Sequence, residues 1–239
     1  MVMGIVYGTT TLHQATRGVV QDGLILNLDP DAGEITSSSW KSFVGDVSMT
    51  LYNSPETTNT AQGVIANLDG TDDYMRATDT NDDFLLATAG TVEAWIYQTP
   101  LGQGRSMSIL GKFRHSNTNA GGVWQFKISG NGSGGSTPTL VCNGVSPSNG
   151  TFTYNQWKHC VAAWSGGSGG TTTIYLDGSS VATGTTAFAE QQQVGQPIFN
   201  GVSTGGYPVK IGGYRVYNRA LTAAEVSKNF NVMRHRFGI

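Results

Sequence analysis

The sequence predicts an all-β protein, an antiparallel sandwich that is closed by one short C-terminal helix. Short apolar segments recur along the 239 residues at strand-like spacing. The 33 glycines indicate many turns, and helical periodicity with a clear cap occurs near residue 222. Sandwiches of this length commonly fold as one unit, so we expect a single core.

The N-terminal segment differs from the rest of the chain. Residues 1–21 are rich in Thr and Gly and lack an alternating pattern over most of their length. Because chain ends stay mobile unless they are tied down, we expect residues 1–21 to form an arm that contacts another chain. Residues 22–239 then form the sandwich domain.

The predicted strands follow in order from residue 23. Each is apolar or alternating and is bounded by Gly, Ser, Asn or Pro. They span residues 23–30, 64–70, 91–98, 107–113, 123–129, 139–144, 157–164, 172–178, 180–184 and 209–218. The Gly- and Ser-rich stretches 130–138 and 165–173 each join two of these strands, so we interpret them as hairpin loops.

The segment IYLDGSSVATG predicts a tight β-hairpin. Asp177-Gly178 supplies the positive φ angles that a two-residue hairpin turn needs. Asp177 is therefore expected to form a turn rather than to act in catalysis.

The C-terminal helix is predicted from its cap. Thr222 and Glu225 have the spacing of a capping box, and Leu221 and Val226 occupy the positions of a hydrophobic staple. The helix is expected to begin at Thr222 and to pack one face on a sheet. That face comprises Val226, Phe230 and Met233.

Composition excludes some classes of partner. The net charge is -2, with 14 Lys+Arg against 16 Asp+Glu, so nucleic acid and anionic membranes are not expected partners. The N-terminus lacks a basic region followed by an apolar run, and no apolar segment reaches transmembrane length. We therefore expect a soluble protein without a secretory signal.

Two cysteines lie in strand-like apolar segments. Cys142 and Cys160 cannot form a disulfide framework. Two buried thiols are the favoured interpretation, with a single bridge between neighbouring strands as the alternative.

A family resemblance is carried by the ordered segments DGLILNLD, LDGTDDYM, GTVEAWIY, ILGKF, WKHCVAAW, IYLDGSSVATG and IGGYRVYNRALTAAEVSKNF. Together they resemble the laminin G-like domains of the concanavalin A-like lectin/glucanase superfamily. The resemblance implies a jelly-roll sandwich of two antiparallel sheets. The ending YNRALTAAEVSKNFNVMRHRFGI is similar to versions of this domain in structural proteins of tailed bacteriophages.

The residues do not indicate an enzyme. Glycoside hydrolases of this superfamily place paired carboxylates on one strand, whereas Glu93 in TVEAWIY stands alone. Glu93 is expected to be hydrogen-bonded within the sandwich or to lie at a sheet edge. The GxSxG pattern occurs at residues 166–170 and 201–205, but no helix is predicted directly after either one, so neither is interpreted as a nucleophile elbow. The four histidines are not at zinc-ligand spacing: His13, His115, His159 and His235.

An acid-rich stretch is the candidate metal site. Relatives of the laminin G-like type hold Ca²⁺ at a loop rim, and Asp69, Asp72 and Asp73 are the candidate ligands here. Further acids follow at Asp79, Asp82 and Asp83. The alternative is that LDGTDDY is a plain turn with solvated charge.

Glycan recognition is the function that the fold suggests. Sugar sites combine an aromatic platform with polar donors and acceptors. The candidate platform residues in predicted loops are Trp40, Tyr52, Phe113, His115, Tyr154 and Tyr207. The alternative is that these rings pack in the core or at its rim.

Three functions remain open. The first is a non-catalytic structural protein on a bacteriophage virion, as a head decoration or a tail or baseplate component, docked through the arm and forming a homo-oligomer. The second is an extracellular or cell-surface carbohydrate-binding module, and the first could also bind glycans. The third is an unusual glycoside hydrolase.

Overall fold

The structure is a computed structural model, and it confirms the predicted sandwich of two antiparallel sheets with a C-terminal helix. It describes residues 18–29, 35–77, 83–100, 106–112, 124–130, 138–148, 152–188 and 208–239, together with the backbone of 198–201.

The first sheet has eight strands. They are β1 Leu24–Leu28, β4 Glu56–Thr60, β5 Gly63–Asp69, β7 Ala89–Gln98, β11 Trp157–Ser165, β12 Thr171–Leu176, β13 Ser179–Thr185 and β15 Pro208–Tyr217. Their spatial order is β13-β12-β11-β7-β15-β5-β4, and β1 also pairs with β15. The long strand β15 thus pairs with β5 at its start and with β1 at its end.

The second sheet has seven strands. They are β2 Ser39–Lys41, β3 Ser48–Tyr52, β6 Tyr74–Ala77, β8 Ser106–Lys112, β9 Trp124–Ser129, β10 Thr139–Cys142 and β14 Ile198–Gly201. Their order is β10-β9-β8-β14-β6-β3-β2. Consecutive residues of a strand point to opposite faces, and the inward-facing residues of both sheets form the main core.

The central strand β7 is buried on both faces. Ala94 and Ile96 lie in the main core between the sheets. Glu93 and Trp95 alternate with them and lie on the outer face, where both are buried. A second layer must therefore cover this outer face.

The C-terminal helix α1, Ala223–Met233, forms part of that layer. Its capping box is present, with the Thr222 side chain accepting from the Glu225 amide, and this confirms the predicted start. The staple residues Leu221 and Val226 are both buried in a small core on the outer face. A short 3-10 helix, Arg234–Phe237, follows and places the Phe237 ring 4.2 Å from that of Trp95.

The last part of the predicted arm packs under this helix. Val19 and Val20 are buried. The Val20 amide donates to Asn229 Oδ1 at 2.8 Å, and the Tyr217 hydroxyl donates to the Val20 carbonyl at 3.2 Å. The packed structure thus includes residues 18–21, whereas residues 1–17 lie outside the described residues and their arm role stays a prediction.

The predicted hairpin at Asp177 is present between β12 and β13. Asp177 and Gly178 have φ angles of 49° and 78°, as a two-residue turn requires. The Asp177 carboxylate accepts from the His159 amide at 3.0 Å and from Lys158 Nζ at 2.7 Å. This acid forms a turn, as predicted, and also ties the turn to β11.

The cysteines are two buried free thiols, which confirms the favoured interpretation. Burial raises the pKa of both thiols above the ordinary range. In the described part of the chain, no helix combines the length and the apolar character needed to cross a membrane.

Candidate functional site

The turn between β5 and β6 gathers the three acids that the sequence singled out. Asp69 Oδ1 accepts from the Thr71 amide at 2.7 Å, and Asp73 Oδ2 accepts from the Asp69 amide at 2.9 Å. Gly70 has a φ of 82°, which is easily adopted only by glycine. Two of the three acids therefore stabilise the turn that positions them.

The three carboxylates lie close together. One carboxylate oxygen of each of Asp69, Asp72 and Asp73 lies within 4.8 Å of the others. Burial raises the pKa of Asp73, and the nearby charges of Asp69 and Asp72 raise it further, against the lowering effect of the Asp69 amide. Oxygen ligands at this spacing could hold a hard cation such as Ca²⁺, and the calcium assignment stays a prediction.

A stacked pair of tyrosines borders the acids. Tyr52 ends β3 and Tyr74 begins β6, and the two residues are paired in register. Their rings stack with centroids 4.5 Å apart and planes inclined by 7°. Both side chains are half-buried, so part of each ring remains open to solvent.

Asn53 links the two features. Its Nδ2 donates to the Asp72 carbonyl at 2.7 Å, which ties the end of β3 to the acidic turn. We refer to this surface as the Tyr–acid patch, and it comprises Tyr52, Asn53, Asp69, Asp72, Asp73 and Tyr74.

The Tyr–acid patch lies beside the outer face of the seven-stranded sheet. On β3 and β6, Met49, Leu51 and Met75 are buried in the core, while the alternating residues are exposed or half-buried. Helix α1 packs on the other sheet. An aromatic surface beside carboxylate and amide groups on an accessible face is suited to a polyhydroxylated ligand.

The other predicted platform residues do not belong to the Tyr–acid patch as the structure describes it. Trp40 is fully buried in the main core, so its ring is not available to a ligand. Tyr154 is half-buried and packs edge-on against Phe152, with ring centroids 6.0 Å apart. Phe113, His115 and Tyr207 lie outside the described residues, as do Asp79 and Asp82.

Tyr74 and Asn53 are the site residues that sequence reasoning did not single out. Tyr74 directly follows Asp73 in LDGTDDYM. The position of Tyr74 next to Asp73 can be read from the sequence. The pairing of Tyr74 with Tyr52 cannot, because it depends on the register of β3 against β6.

Glu93, the isolated carboxylate, is part of a buried ion network. Its side chain is 1% exposed. Arg215 Nη1 donates to Oε1 at 2.7 Å, Asn229 Nδ2 donates to Oε2 at 2.7 Å, and His159 Nε2 lies 3.3 Å from Oε1. Burial alone would raise the pKa of Glu93, but these neighbours, led by Arg215, lower it to about 2.

The network continues to the N- and C-terminal parts of the domain. Asp29 accepts from Arg215 Nη2 and from Arg236 Nη1, each at 2.9 Å. Asp29 and Arg215 are buried, and Arg236 lies just after α1. Glu93 therefore joins the sheet to its helical cover, where a polysaccharide cannot reach it.

These features define a two-sheet lectin-like sandwich with one helix-covered face and a second face that is accessible at β3 and β6. The family model described as concanavalin A-like lectin/glucanases superfamily (Laminin_G_3) matches residues 69–227. This is more than half of the chain, and the chain belongs to this family.

Solved structures share the fold at low sequence identity. Trypanosoma rangeli sialidase superposes with a TM-score of 0.67 at 15% identity over 92% of this chain and 34% of that chain. The receptor binding domain of botulinum neurotoxin mosaic serotype C/D gives 0.63 at 12% identity over 88% and 51%. The binding domain of Paraclostridial Mosquitocidal Protein 1 gives 0.61 at 13% identity over 88% and 52%.

These likenesses show the fold alone. The chain spans about a third of the sialidase and about half of each of the two binding domains. No curated protein matches the sequence.

Proposed function

We propose that this protein is a non-catalytic carbohydrate-binding domain whose sugar site is the Tyr–acid patch. The observation that carries the proposal is the stacked pair Tyr52 and Tyr74 beside the clustered carboxylates of Asp69, Asp72 and Asp73. The fold supports it, since two of the similar structures are described as the receptor binding domain of a botulinum neurotoxin and the binding domain of a mosquitocidal protein.

The chemistry of the patch fits a sugar. A tyrosine ring offers an apolar face for the C–H side of a pyranose and a polar edge for its hydroxyls. Carboxylates accept hydrogen bonds from hydroxyl groups, and such charge-assisted bonds are stronger than neutral ones. The paired strands and the hydrogen-bonded turn hold these groups in place before the ligand arrives, which lowers the entropic cost of binding.

The proposal that the domain is non-catalytic is supported by Glu93. Its carboxylate is buried beneath the helical layer and is engaged by Arg215 and Asn229. A general acid or nucleophile must contact the glycosidic bond, and Glu93 is shielded from any polysaccharide.

A glycoside hydrolase is the second candidate, and one observation favours it. The carboxylate oxygens of Asp69, Asp72 and Asp73 lie within 4.8 Å of one another, near the roughly 5 Å separation used by retaining enzymes. Against it, Asp69 and Asp73 each accept a backbone amide of their own turn. Release of reducing sugar that is lost in Asp73→Asn would establish the hydrolase and overturn our proposal.

We also propose that the domain is displayed on a bacteriophage virion as a homo-oligomer docked through residues 1–17. The support is the resemblance of the ending YNRALTAAEVSKNFNVMRHRFGI to those of phage structural proteins. The alternative is an extracellular lectin module. Neighbouring genes for capsid and tail proteins would favour the virion, and a gene neighbourhood of secreted proteins would favour the alternative.

A glycan array tests the carbohydrate proposal. We expect wild-type protein to bind a set of bacterial surface polysaccharides and Tyr74→Ala to lose that signal. Tyr97→Ala is the matched control, because Tyr97 is another half-buried tyrosine but lies on the eight-stranded sheet. Equal signals from wild type and Tyr74→Ala would place any sugar site elsewhere. Arrays in EDTA and in CaCl₂ test the predicted calcium site.

A further inference from the structure

The outer surface of β6 continues from the Tyr–acid patch to Arg76. Tyr74 and Arg76 alternate along this strand with Met75 and Ala77, which are buried in the main core. Because alternate residues of a strand share a face, Tyr74 and Arg76 both lie on the outer face, about 7 Å apart. Arg76 is half-buried. A sugar ring packed on the tyrosine pair therefore lies next to this cation.

Strand register extends the same arrangement to β3. Tyr52 is paired with Tyr74, and Thr50 is paired with Arg76. Leu51, between the two β3 residues, is buried in the main core, so Thr50 and Tyr52 share the outer face. A row that holds a hydroxyl and a guanidinium thus follows directly on the row of two tyrosines.

Arg76 differs from the paired arginines of this protein. Arg215, Arg219 and Arg236 each form an ion pair with a carboxylate. Arg76 makes neither an ion pair nor a hydrogen bond with any residue that the structure describes. A guanidinium presents its donors in a planar fork that matches the two oxygens of a carboxylate. The Arg76 side chain is therefore available to a carboxylate on a ligand.

The sign of the charge changes across the tyrosine pair. The three carboxylates of the patch lie in the turn that precedes the tyrosine of β6. At the outward positions of β2, β3 and β6, by contrast, the charged residues are Lys41 and Arg76, and none of these described positions holds Asp or Glu. An acidic ligand is attracted to the strand side of the patch and repelled from the turn side.

We propose that the Tyr–acid patch selects glycans that contain an acidic sugar, and that Arg76 is the residue that recognises the sugar carboxylate. The inference rests on the proposed carbohydrate function and adds the substrate class. The acidic sugar packs on the tyrosine pair, with its carboxylate against Arg76 and its hydroxyls towards Asp72 and Asp73. The reverse orientation would bring like charges together, so the glycan binds in one direction.

Acidic oligosaccharides and their carboxyl-reduced forms are the matched probes, because reduction of the carboxylate to a hydroxymethyl group removes the charge and keeps the ring. An array carries oligosaccharides of glucuronic, galacturonic and sialic acid in both forms, together with neutral glycans. It is read with the full chain in EDTA, which removes any contribution of calcium. We expect the acidic forms to bind at least about tenfold more tightly than the reduced forms, and this preference to shrink as salt rises.

The outcomes of this array separate the two proposals. Equal binding of the acidic and reduced forms, or binding of neutral glycans alone, would overturn the inference and leave the carbohydrate function standing. The absence of binding to every glycan on the array would contradict both.

Arg76→Gln tests the assignment to this residue. The variant should bind the acidic and reduced forms alike, because the amide keeps hydrogen-bonding groups and has no charge. Lys127→Gln is the matched control and should keep the tenfold preference. Lys127 is a half-buried cation on the outer face of the same sheet, but β8 and β14 separate its strand β9 from β6.

An unchanged preference in folded Arg76→Gln would overturn the assignment. If this variant fails to fold, Arg76→Lys replaces it, because lysine keeps the charge and lacks the planar fork. The preference for acidic forms should then be reduced, and a preference equal to that of wild type would contradict the assignment.

Discussion

Glu93 shows how the surroundings decide the role of a carboxylate. The sequence leaves two alternatives for this lone acid, a sheet edge or hydrogen bonds within the sandwich, and the structure shows the second. Its partners Arg215 and Asn229 lie 122 and 136 residues further along the chain. Local pattern carries no information on such distant pairs, so the network could not be predicted from sequence.

Loss of the Glu93 charge should destabilise the fold. Glu93→Gln leaves buried Arg215 with Asp29 as its remaining carboxylate partner, and we expect a loss of about 3 kcal/mol or more in the free energy of unfolding. Chemical denaturation of wild type and variant measures this. Glu56→Gln is the control, since exposed Glu56 should change stability by less than about 0.5 kcal/mol. A Glu93→Gln variant as stable as wild type would show that the network contributes nothing.

The same network should make stability depend on pH. The pKa of Glu93 is lowered from its ordinary 4.5 to about 2, so folding favours the charged form. The stabilisation is fully present above pH 4.5 and is lost as pH falls towards 2, by about 3 kcal/mol. Glu225, whose pKa is lowered to about 2 chiefly by its hydrogen bond with Arg219, acts in the same direction.

Denaturation at several pH values between 2 and 7 tests this dependence. Wild type should lose stability steeply between pH 4.5 and 2. The free energy of unfolding of Glu93→Gln should fall less steeply over this range, and the remaining dependence on pH is due to Glu225. Parallel curves for the two proteins would mean that Glu93 has an ordinary pKa in the folded state.

At the scale of elements, sequence patterns predict the long strands well and the short ones poorly. All the predicted segments, from residues 23–30 to 209–218, correspond to strands. The strands that were not predicted are β2, β3, β4, β6 and β14, none longer than five residues. Strand β4, ETTNT, contains no apolar residue at all, so its pairing with β5 determines its structure.

The C-terminal helix has features that the sequence predicts and one that it does not. Its cap and staple are local features, and the structure confirms them. Phe230 packs on the sheet as predicted, although it is only half-buried, and the buried face also includes Asn229. Asn229 is buried because it bonds Val20, Glu93 and Tyr217, and a hydrophobic pattern cannot indicate a buried polar position.

The hairpin at Asp177 offers a test of how the helix packs on the sheet. A Cβ at Gly178 would lie 2.7 Å from Phe230 Cδ1, so Gly178→Ala should cost about 1–3 kcal/mol from overpacking in addition to backbone strain. Gly169→Ala is the control, because Gly169 has a similar φ of 84° with no atom within 4 Å. Equal losses of unfolding free energy in the two variants would show that Phe230 does not pack on this turn.

At the scale of the whole molecule, the sandwich has two unlike faces. The eight-stranded sheet is covered by the C-terminal helix and by residues 18–20. The seven-stranded sheet presents half-exposed side chains on β3 and β6 beside the Tyr–acid patch. Ligand binding is therefore proposed at β3 and β6, where this second face is accessible.

Two truncations test where the domain begins. Removal of residues 1–17 should leave the free energy of unfolding unchanged. Removal of residues 1–21 deletes buried Val19 and Val20 and should cost at least about 2 kcal/mol. Equal stability of the two truncated chains would place the boundary at residue 22, as the sequence alone suggests.

The candidate site was predictable in part. The acids Asp69, Asp72 and Asp73 and the ring of Tyr52 were all candidates from the sequence, because turn acids and loop aromatics are visible as residue types. Their convergence with Tyr74 was not, because it depends on strand register. Trp40 was a candidate on the same grounds, but the structure buries its ring in the core.

The affinity of an array-positive glycan for wild type and for the double variant Tyr52→Ala/Tyr74→Ala tests the central claim most directly. Calorimetric titration should give binding to wild type and to Tyr97→Ala with the same affinity. The double variant should bind at least about tenfold more weakly, a loss of about 1.4 kcal/mol, while its fold is retained. Unchanged affinity in a folded double variant would show that the Tyr–acid patch is not the carbohydrate site.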